Sequence, residues 1–453
     1  MTAPEARLAR RGEAGYAEAT RVFNLAAPAE PAVAATVRDV AGIRAALAHA
    51  VAENLRVRAH STGHGSATAR PMGEALLLRT ELSGGVEIDS AARVARVPAG
   101  TRWGQVVEAA EPYGLAAPHG SSPLVGVVGY LLRGGVSLYG RHTGLAANSV
   151  RAVELVTADG EPRRADASSD PELLWAMRGG GGGFGVVTAV EFDLFPVERV
   201  VTGAAYWPAV HAERLLPLWL DWTRKAPREA TTTLRLMNLP PLPEVPEPLR
   251  GRSVLCVDGV VLGGPGDEAV AEDLLGPLRA LAPPILDTWG TAPPRQVTLT
   301  HMDPTEPFPI FGDHMLLDDL PEEAAGEFLR IAGPGSPLTN AELRQLGGAL
   351  AVPEREGGAL DRLDASFAYM GGGVPFGDLT PEALVGHCAR TRAVLRPWDT
   401  GLTAPSFVES LSQPQRHLSP ERVEAVDRVR ARVDPTGLFR DDIAPGATAH
   451  SNP

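Results

Sequence analysis

Lysine is all but missing from this sequence. Lys225 stands alone among 453 residues, against 41 arginines. A phosphate-gripping or Schiff-base lysine is therefore excluded unless Lys225 is that residue. Cysteine is scarce too. Cys256 and Cys388 cannot build a disulfide framework, and two separate buried thiols are expected. No apolar run approaches the ~20 residues of a membrane span, so no membrane partner is expected. Arg10-Arg11 is followed by polar or small residues from Gly12 to Thr20 rather than by an apolar stretch. No secretion signal is read there, and a cytoplasmic protein is expected. Positive charge is in deficit, with 42 basic against 55 acidic residues and a net charge of −13. The basic stripe that counterion release needs is absent, so no nucleic-acid partner is expected.

Glycine (49) and proline (41) are abundant, which with the arginine bias looks like GC-rich coding. A hydrophobic share of 44% and a charged share of 21% suit a folded soluble chain. Its length exceeds the ~250–300 residues at which one core stops growing, so two domains are expected. Apolar spacing predicts a helix over Val40–Asn54 and a strand over Leu55–Ala59. Short strands follow at Leu76–Leu78, Val86–Ile88 and Val94–Val97. A helix from Trp103 to Tyr113 is stopped by Gly114, and Ser169-Asp170-Pro171 opens another through Met177. Strands are read at Val150–Thr157 and Val186–Phe195. Composition shifts near Pro196. Beyond it come longer helical patterns at His211–Arg224 and Glu268–Leu281, then a tail helix over Ser419–Arg432, with Leu438-Phe439-Arg440 expected to pack back on the first domain.

Three glycine-rich stretches stand out: Arg58–Ser66, Gly120–Gly135 and Arg178–Gly185. Gly63 and Gly65 permit a tight turn after a strand, where consecutive N–H groups form an anion-binding concavity. None is a Walker loop or a Gly-x-Gly-x-x-Gly dinucleotide turn. His60 and His64 have the spacing of a helical zinc pair, but Ser-Thr-Gly between them disfavours a helix and no third ligand is evident, so no metal is expected.

Together these stretches resemble FAD-linked oxidases of the berberine bridge enzyme type, within the vanillyl-alcohol oxidase class with its PCMH-type FAD-binding fold. His60-Ser61-Thr62-Gly63-His64-Gly65-Ser66 is similar to the family's Arg-Ser-Gly-Gly-His-Ser loop. Gly144 to Val150 resembles Gly-Leu-Ala-x-Asp-Asn-Val, and Leu174 to Thr188 resembles Leu-Trp-Ala-Leu-Arg-Gly-Gly-Gly-Gly-Asn-Phe-Gly-Val-Val-Thr. Val433 to Arg440 resembles the terminal Tyr-Asp-Pro-x-Asn-Leu-Phe-Arg. The resemblance covers most of 35–197 and 405–440 and implies a two-domain α+β fold. Residues 1–200 with a return at 411–453 would bind FAD. Residues 201–410 would form an inserted substrate domain, an antiparallel sheet covered by helices.

The resemblance also implies the site. His64 would bond covalently to the flavin, and the amides of Ser61 to Gly65 would meet the pyrophosphate, with His60 and Ser66 flanking them. Pro118, Gly120, Ser121, Ser122, Val125, Gly126, Gly129, Tyr130, Gly134 and Gly135 would run past the flavin, with His142, Leu145 and Asn148 beside it. Gly185, Val186 and Val187 would meet the adenine. Ser122 holds the place of a second tethering cysteine, so a single covalent link through His64 is expected. Phe407 holds the place of the family's catalytic tyrosine, and a phenyl ring takes no proton. Glu409 is then a candidate base beside a structural carboxylate reading, with Tyr139 and His142 as further catalytic candidates. Segments His301–Pro304 and Glu342–Leu346 resemble parts of bacterial members, and their polar groups face either a substrate or a satisfied core. Trp207, Trp219 and Trp222 are read as core.

The implied activity is oxidation of a small molecule, with a hydride passing to flavin N5 and O2 reoxidising the flavin to give H2O2. In bacteria such enzymes tailor secondary metabolites. Non-redox use of the flavin, and a dehydrogenase that excludes oxygen, stand as alternatives. The oligomeric state is open.

Overall fold

A computed structural model of the protein describes residues 7–264, 266–443 and 446. The chain begins with a small parallel sheet. Strands Val33–Val37 and Arg56–His60 flank Ala75–Thr80, whose six residues are all buried. Helix Val40–Ala52 makes the crossover, its first turn capped where Asp39 accepts from the Gly42 N–H at 2.7 Å. Such a central parallel strand is covered on both faces, hence its continuous apolar run.

The second sheet is antiparallel, in the order Glu87–Asp89, Val94–Pro98, Val186–Asp193, Val150–Val156, Pro162–Asp166. Helix Pro171–Met177 starts where Asp170 caps the Leu173 N–H, and helix Trp103–Ala110 runs into a final turn ended by Gly114 at φ +65°. The third glycine stretch turns out to be packed against protein. A Cβ at Gly183 would meet Ile443 at 2.4 Å, and one at Gly185 would meet the Val156 carbonyl at 2.5 Å.

From Val200 the chain builds an eight-stranded antiparallel sheet. Its main path runs Leu286–Asp287, Val200–Pro208, Ser253–Leu262, Ala230–Asn238, Asn340–Gln345, Phe367–Gly373, Phe311–Leu317. Period-2 alternation sorts its side chains. Leu234, Leu236, Leu343 and Phe367 face helices Ala212–Thr223, Asp267–Leu281, Glu322–Ala332 and Pro381–Leu395, in a core with Trp207, Trp219 and Trp222. The intervening Arg235, Glu342 and Arg344 fall on the other face, towards the first layer. That face is joined to the first layer by Arg141, which donates to the carbonyls of Ala230 and Leu346.

The chain then returns. Leu402, Ala404, Phe407 and helix Pro420–Val433 pack on the core of the first layer. The Val57 N–H donates to the Leu438 carbonyl at 2.9 Å, and Phe439 is buried beside it. The first layer is thus discontinuous in sequence. Both cysteines are free and buried. Among the described residues no helix is long and apolar enough to cross a membrane, and no cluster of three His, Cys, Asp or Glu is placed to hold a metal.

Candidate active site

After strand Arg56–His60 the chain turns at Gly63, where φ is +72° and Val22 Cα lies 2.6 Å from where a Cβ would stand. Only glycine tolerates that conformation and that contact. None of the N–H groups of Thr62, Gly63, His64 and Gly65 finds an acceptor among the described residues. His60 donates from Nε2 to the Ala19 carbonyl at 2.8 Å, and burial pushes its pKa down to about 4. His64 is stacked on Phe23, with centroids 4.1 Å apart and planes 13° from parallel, and Phe308 meets Phe23 edge-on. Its Nδ1 lies 2.8 Å from Thr62 Oγ1, while the buried Nε2 has no partner among the described residues. Burial, and then the charge of Arg102, push its pKa down to about 4. His64 is thus a neutral imidazole at pH 7.

The second glycine stretch closes on this loop. A Cβ at Gly126 would stand 2.4 Å from Ser61 Oγ. Tyr130 lies between Gly120 and Gly135, whose Cβ positions would be 3.1 and 2.4 Å from the ring. The ring meets Trp103 edge-on at 5.4 Å, and its hydroxyl is buried without a partner among the described residues. Val125 packs against the same core, Gly134 is closed off by Leu360, and Gly129 faces open space. Ser122 Oγ accepts from the Leu124 N–H, and Ser121 Oγ donates to Asp303 at 2.6 Å, tying this loop to the inserted layer. The guanidinium of Arg133 lies over Gly65, with Nη1 donating to Thr68 Oγ1 at 2.8 Å.

Glu409 follows the turn Pro405–Phe407 and lines a cavity of about 350 Å³ with Asn24, Phe311, Asp313, Arg392 and Gln413. Its side chain rests on Gly312, and its backbone N–H donates to Gln413 Oε1. Burial pushes its pKa up to about 7, against the opposing pull of Arg133. A carboxyl that ionises near neutrality can accept a proton at working pH. Phe407 itself lies under the Arg344 guanidinium, 5.1 Å from its ring centre.

Beyond Phe407 the inner sheet face carries a buried charge network. His301 Nδ1 is 3.0 Å from Asp258, and its Nε2 is 3.0 Å from Glu342. Arg235 pairs with Asp258 at 2.6 Å and Arg344 with Glu342 at 2.8 Å. Burial and Arg235 oppose a charge on His301, but Asp258 and Glu342 outweigh them and hold its pKa at about 9. Burial likewise opposes charge on Glu342, yet Arg344 and His301 bring it down to about 2. The network is therefore ionised at pH 7.

The structure brings together the residues from His60 to Ser66, Gly120 to Gly126, Tyr130 and Gly135. The other sequence candidates have neighbours of their own. Tyr139 is buried in an apolar cluster with Leu138, Val200 and Val260, edge-on to His119 and Phe195, and burial raises its phenol pKa. His142 is part-exposed, 3.9 Å from Glu229, in a groove that Pro118, Leu145 and Asn148 also line. Asn148 there donates to the Asp361 carbonyl and accepts from the Gly358 N–H. Val186 is fully buried against Val57 and Leu76, with Val187 beside it in the neighbouring core. Sequence reasoning did not single out Phe23, Arg141, Arg235 or Asp258. Charged residues inside the apolar strands Ala230–Asn238 and Ser253–Leu262 were the available signal for the last two.

Residues 31–166 match the FAD binding domain family. Over 195 residues the chain is 33% identical to a carbohydrate oxidase of Microdochium nivale, covering 42% of this chain and 39% of that protein. Over 178 residues it is 33% identical to (R)-6-hydroxynicotine oxidase of Paenarthrobacter nicotinovorans, 39% of each. The matches thus span well under half the length of these relatives. The fold is shared along nearly the whole chain with BBE-like 1 of Physcomitrella patens, at a TM-score of 0.83, 20% identity and 97% coverage of both chains.

Proposed function

From the match of residues 31–166 to the FAD binding domain family, we propose an FAD-dependent oxidoreductase of a small organic molecule. In this reading His64 tethers the flavin by one covalent bond and O2 is the final electron acceptor, yielding H2O2. The observation that carries it is the His64 loop. It joins amides from Thr62 to Gly65 that find no acceptor among the described residues to a neutral, half-buried imidazole whose buried Nε2 has no partner there. That donor set fits a flavin dinucleotide, since amides can meet the phosphates and an unprotonated ring nitrogen could replace a hydrogen of a flavin methyl carbon, the C–H being lost as a proton and the electron pair passing to the flavin and on to O2. Bound FAD supplies the acceptor for a hydride leaving a substrate C–H.

The chain's own groups would do the rest. Phe23 stacked on one face holds the His64 ring in place. Ser122, at the position of a second tether in the resembled family, offers a hydroxyl and no thiolate, which supports a single link. Glu409, ionising near pH 7 at the edge of its cavity, would take the proton from a substrate O–H or N–H as the neighbouring C–H is oxidised. Phe407 cannot serve that role. The cavity's mixed lining of Asn24, Asp313, Arg392 and apolar surface suits a small polar organic substrate, and a role in secondary metabolism rests on the sequence resemblance.

Acid precipitation of the purified protein tests the tether. Yellow colour should stay with the pellet and map to the peptide carrying His64, and His64→Ala should release it. Free flavin in the supernatant of the unmodified protein overturns the tether. A substrate screen with anaerobic bleaching and oxygen uptake tests the activity. A flavin that never bleaches across a broad panel counts against oxidation, and bleaching without reoxidation by air points to a dehydrogenase.

A further inference from the structure

The glycine loop is not the only cationic or donor surface turned towards the phosphate position. Arg133 caps the end of helix Val127–Leu132, just before Gly134 and Gly135. Its guanidinium lies flat over Gly65: a Cβ there would stand 3.1 Å from Nη1, 3.3 Å from Cζ and 3.4 Å from Nη2. Of its five N–H donors, one is used on Thr68 Oγ1 at 2.8 Å. Among the described residues no carboxylate lies within ion-pair distance of it. Asp442 and Glu409 act on it electrostatically, and neither makes a hydrogen bond or an ion pair with it among the described residues. A part-buried guanidinium with spare donors, beside four amides that find no acceptor among the described residues, is a donor set suited to an anion.

We propose that Arg133 is the cationic contact for the diphosphate of FAD, gripping phosphate oxygens with the planar donors that face the Gly65 loop. The inference rests on the FAD reading above and deepens it. Phosphate recognition in this chain would then be shared between main-chain amides and one guanidinium, although the chain is nearly free of lysine.

The test compares FAD with riboflavin, which has the same ring system and no phosphate. Both are titrated into protein carrying His64→Ala, so that flavin exchanges freely, with fluorescence quenching as the readout. Arg133→Met in that background should weaken FAD by about tenfold or more, worth about 1.4 kcal/mol, and leave riboflavin unchanged. The loss should shrink at high salt. Equal weakening of both flavins, or none of either, overturns the inference. If Arg133→Met lowers the melting temperature, Arg133→Lys decides. It keeps the charge and loses the fork, so FAD should fall by an intermediate factor with riboflavin unmoved, and parallel loss of both overturns the proposal. A parent protein that takes up neither flavin refutes the reading of the site itself, whereas a parent that binds FAD beside an Arg133→Met protein that binds it equally refutes only the role of Arg133.

Discussion

His301→Gln removes one charge from the middle of a buried network and needs no substrate to be measured. In the folded protein the imidazolium touches Asp258 and Glu342 at 3.0 Å each, with its own side chain 4% exposed and both carboxylates fully buried. The network holds the pKa at about 9 against an ordinary 6.5. At 1.36 kcal/mol per unit this corresponds to about 3 kcal/mol favouring the charged form. Stripping one partner from a buried ion pair typically costs about 3–5 kcal/mol, which agrees. The pKa is raised on folding, so the contribution is complete below pH 6.5 and disappears as pH rises through 9. Urea unfolding followed by tryptophan fluorescence suits the test, because Trp207, Trp219, Trp222, Trp289 and Trp398, five of the seven tryptophans, lie in the inserted layer. His301→Gln should be less stable by about 3 kcal/mol at pH 6. The gap between the two proteins should close as pH passes 9. A gap that stays constant across that range would show that packing, and not charge, is what the substitution removes, and identical midpoints at pH 6 would refute the network's energetic role.

Three other outcomes follow from the site. Glu409→Gln should slow substrate-driven flavin bleaching by roughly 10²–10⁴-fold and abolish a rise in rate with a midpoint near pH 7, while raising the melting temperature above pH 7 because a buried carboxylate is no longer ionised. A variant that keeps the midpoint assigns the base elsewhere. Gly135→Ala should cost the fold well over the roughly 1–2 kcal/mol of its left-handed backbone, since φ is +68° and the new Cβ meets Tyr130 at 2.4 Å and Ala146 at 2.9 Å. Unchanged thermal melting would contradict that packing. Gly129→Ala, in helix Val127–Leu132 with nothing within 4 Å of its Cβ, should leave the flavin-free protein at least as stable and weaken flavin binding. Loss of stability with no effect on flavin would reverse the assignment of that space.

Local signals carried the first layer. The Asp170-Pro171 start, the Gly114 stop and the 3.6-residue spacing of Val40–Ala52 act through neighbours on the chain, so they could be read without knowing the fold. The tail segment Leu438-Phe439 could also be placed, because an apolar pair after a turn needs a core and the first domain offered one. The inserted sheet was less legible as residues alone. Arg235 and Asp258 carried no site reading in sequence, and only the antiparallel register puts them on one face with Glu342, where His301 meets them. Tyr139 and His142 illustrate the converse. They are near the flavin stretch in sequence, and the fold buries one in an apolar cluster and sets the other in an outer groove with Pro118, Leu145 and Asn148.

By itself the sequence determined where the backbone must bend tightly, which loop could offer amides to an anion, and that no lysine other than Lys225 could help to hold it. These properties belong to residue type and near-neighbour geometry. Only the tertiary structure decided that Phe23 covers His64, that Arg133 reaches Gly65 with no carboxylate in ion-pair distance among the described residues, that burial moves Glu409 to about 7, and that Asp258 and Glu342 hold His301 at about 9. Burial and charge pairing depend on what the fold brings alongside a group, and those partners lie tens to hundreds of residues away along the chain.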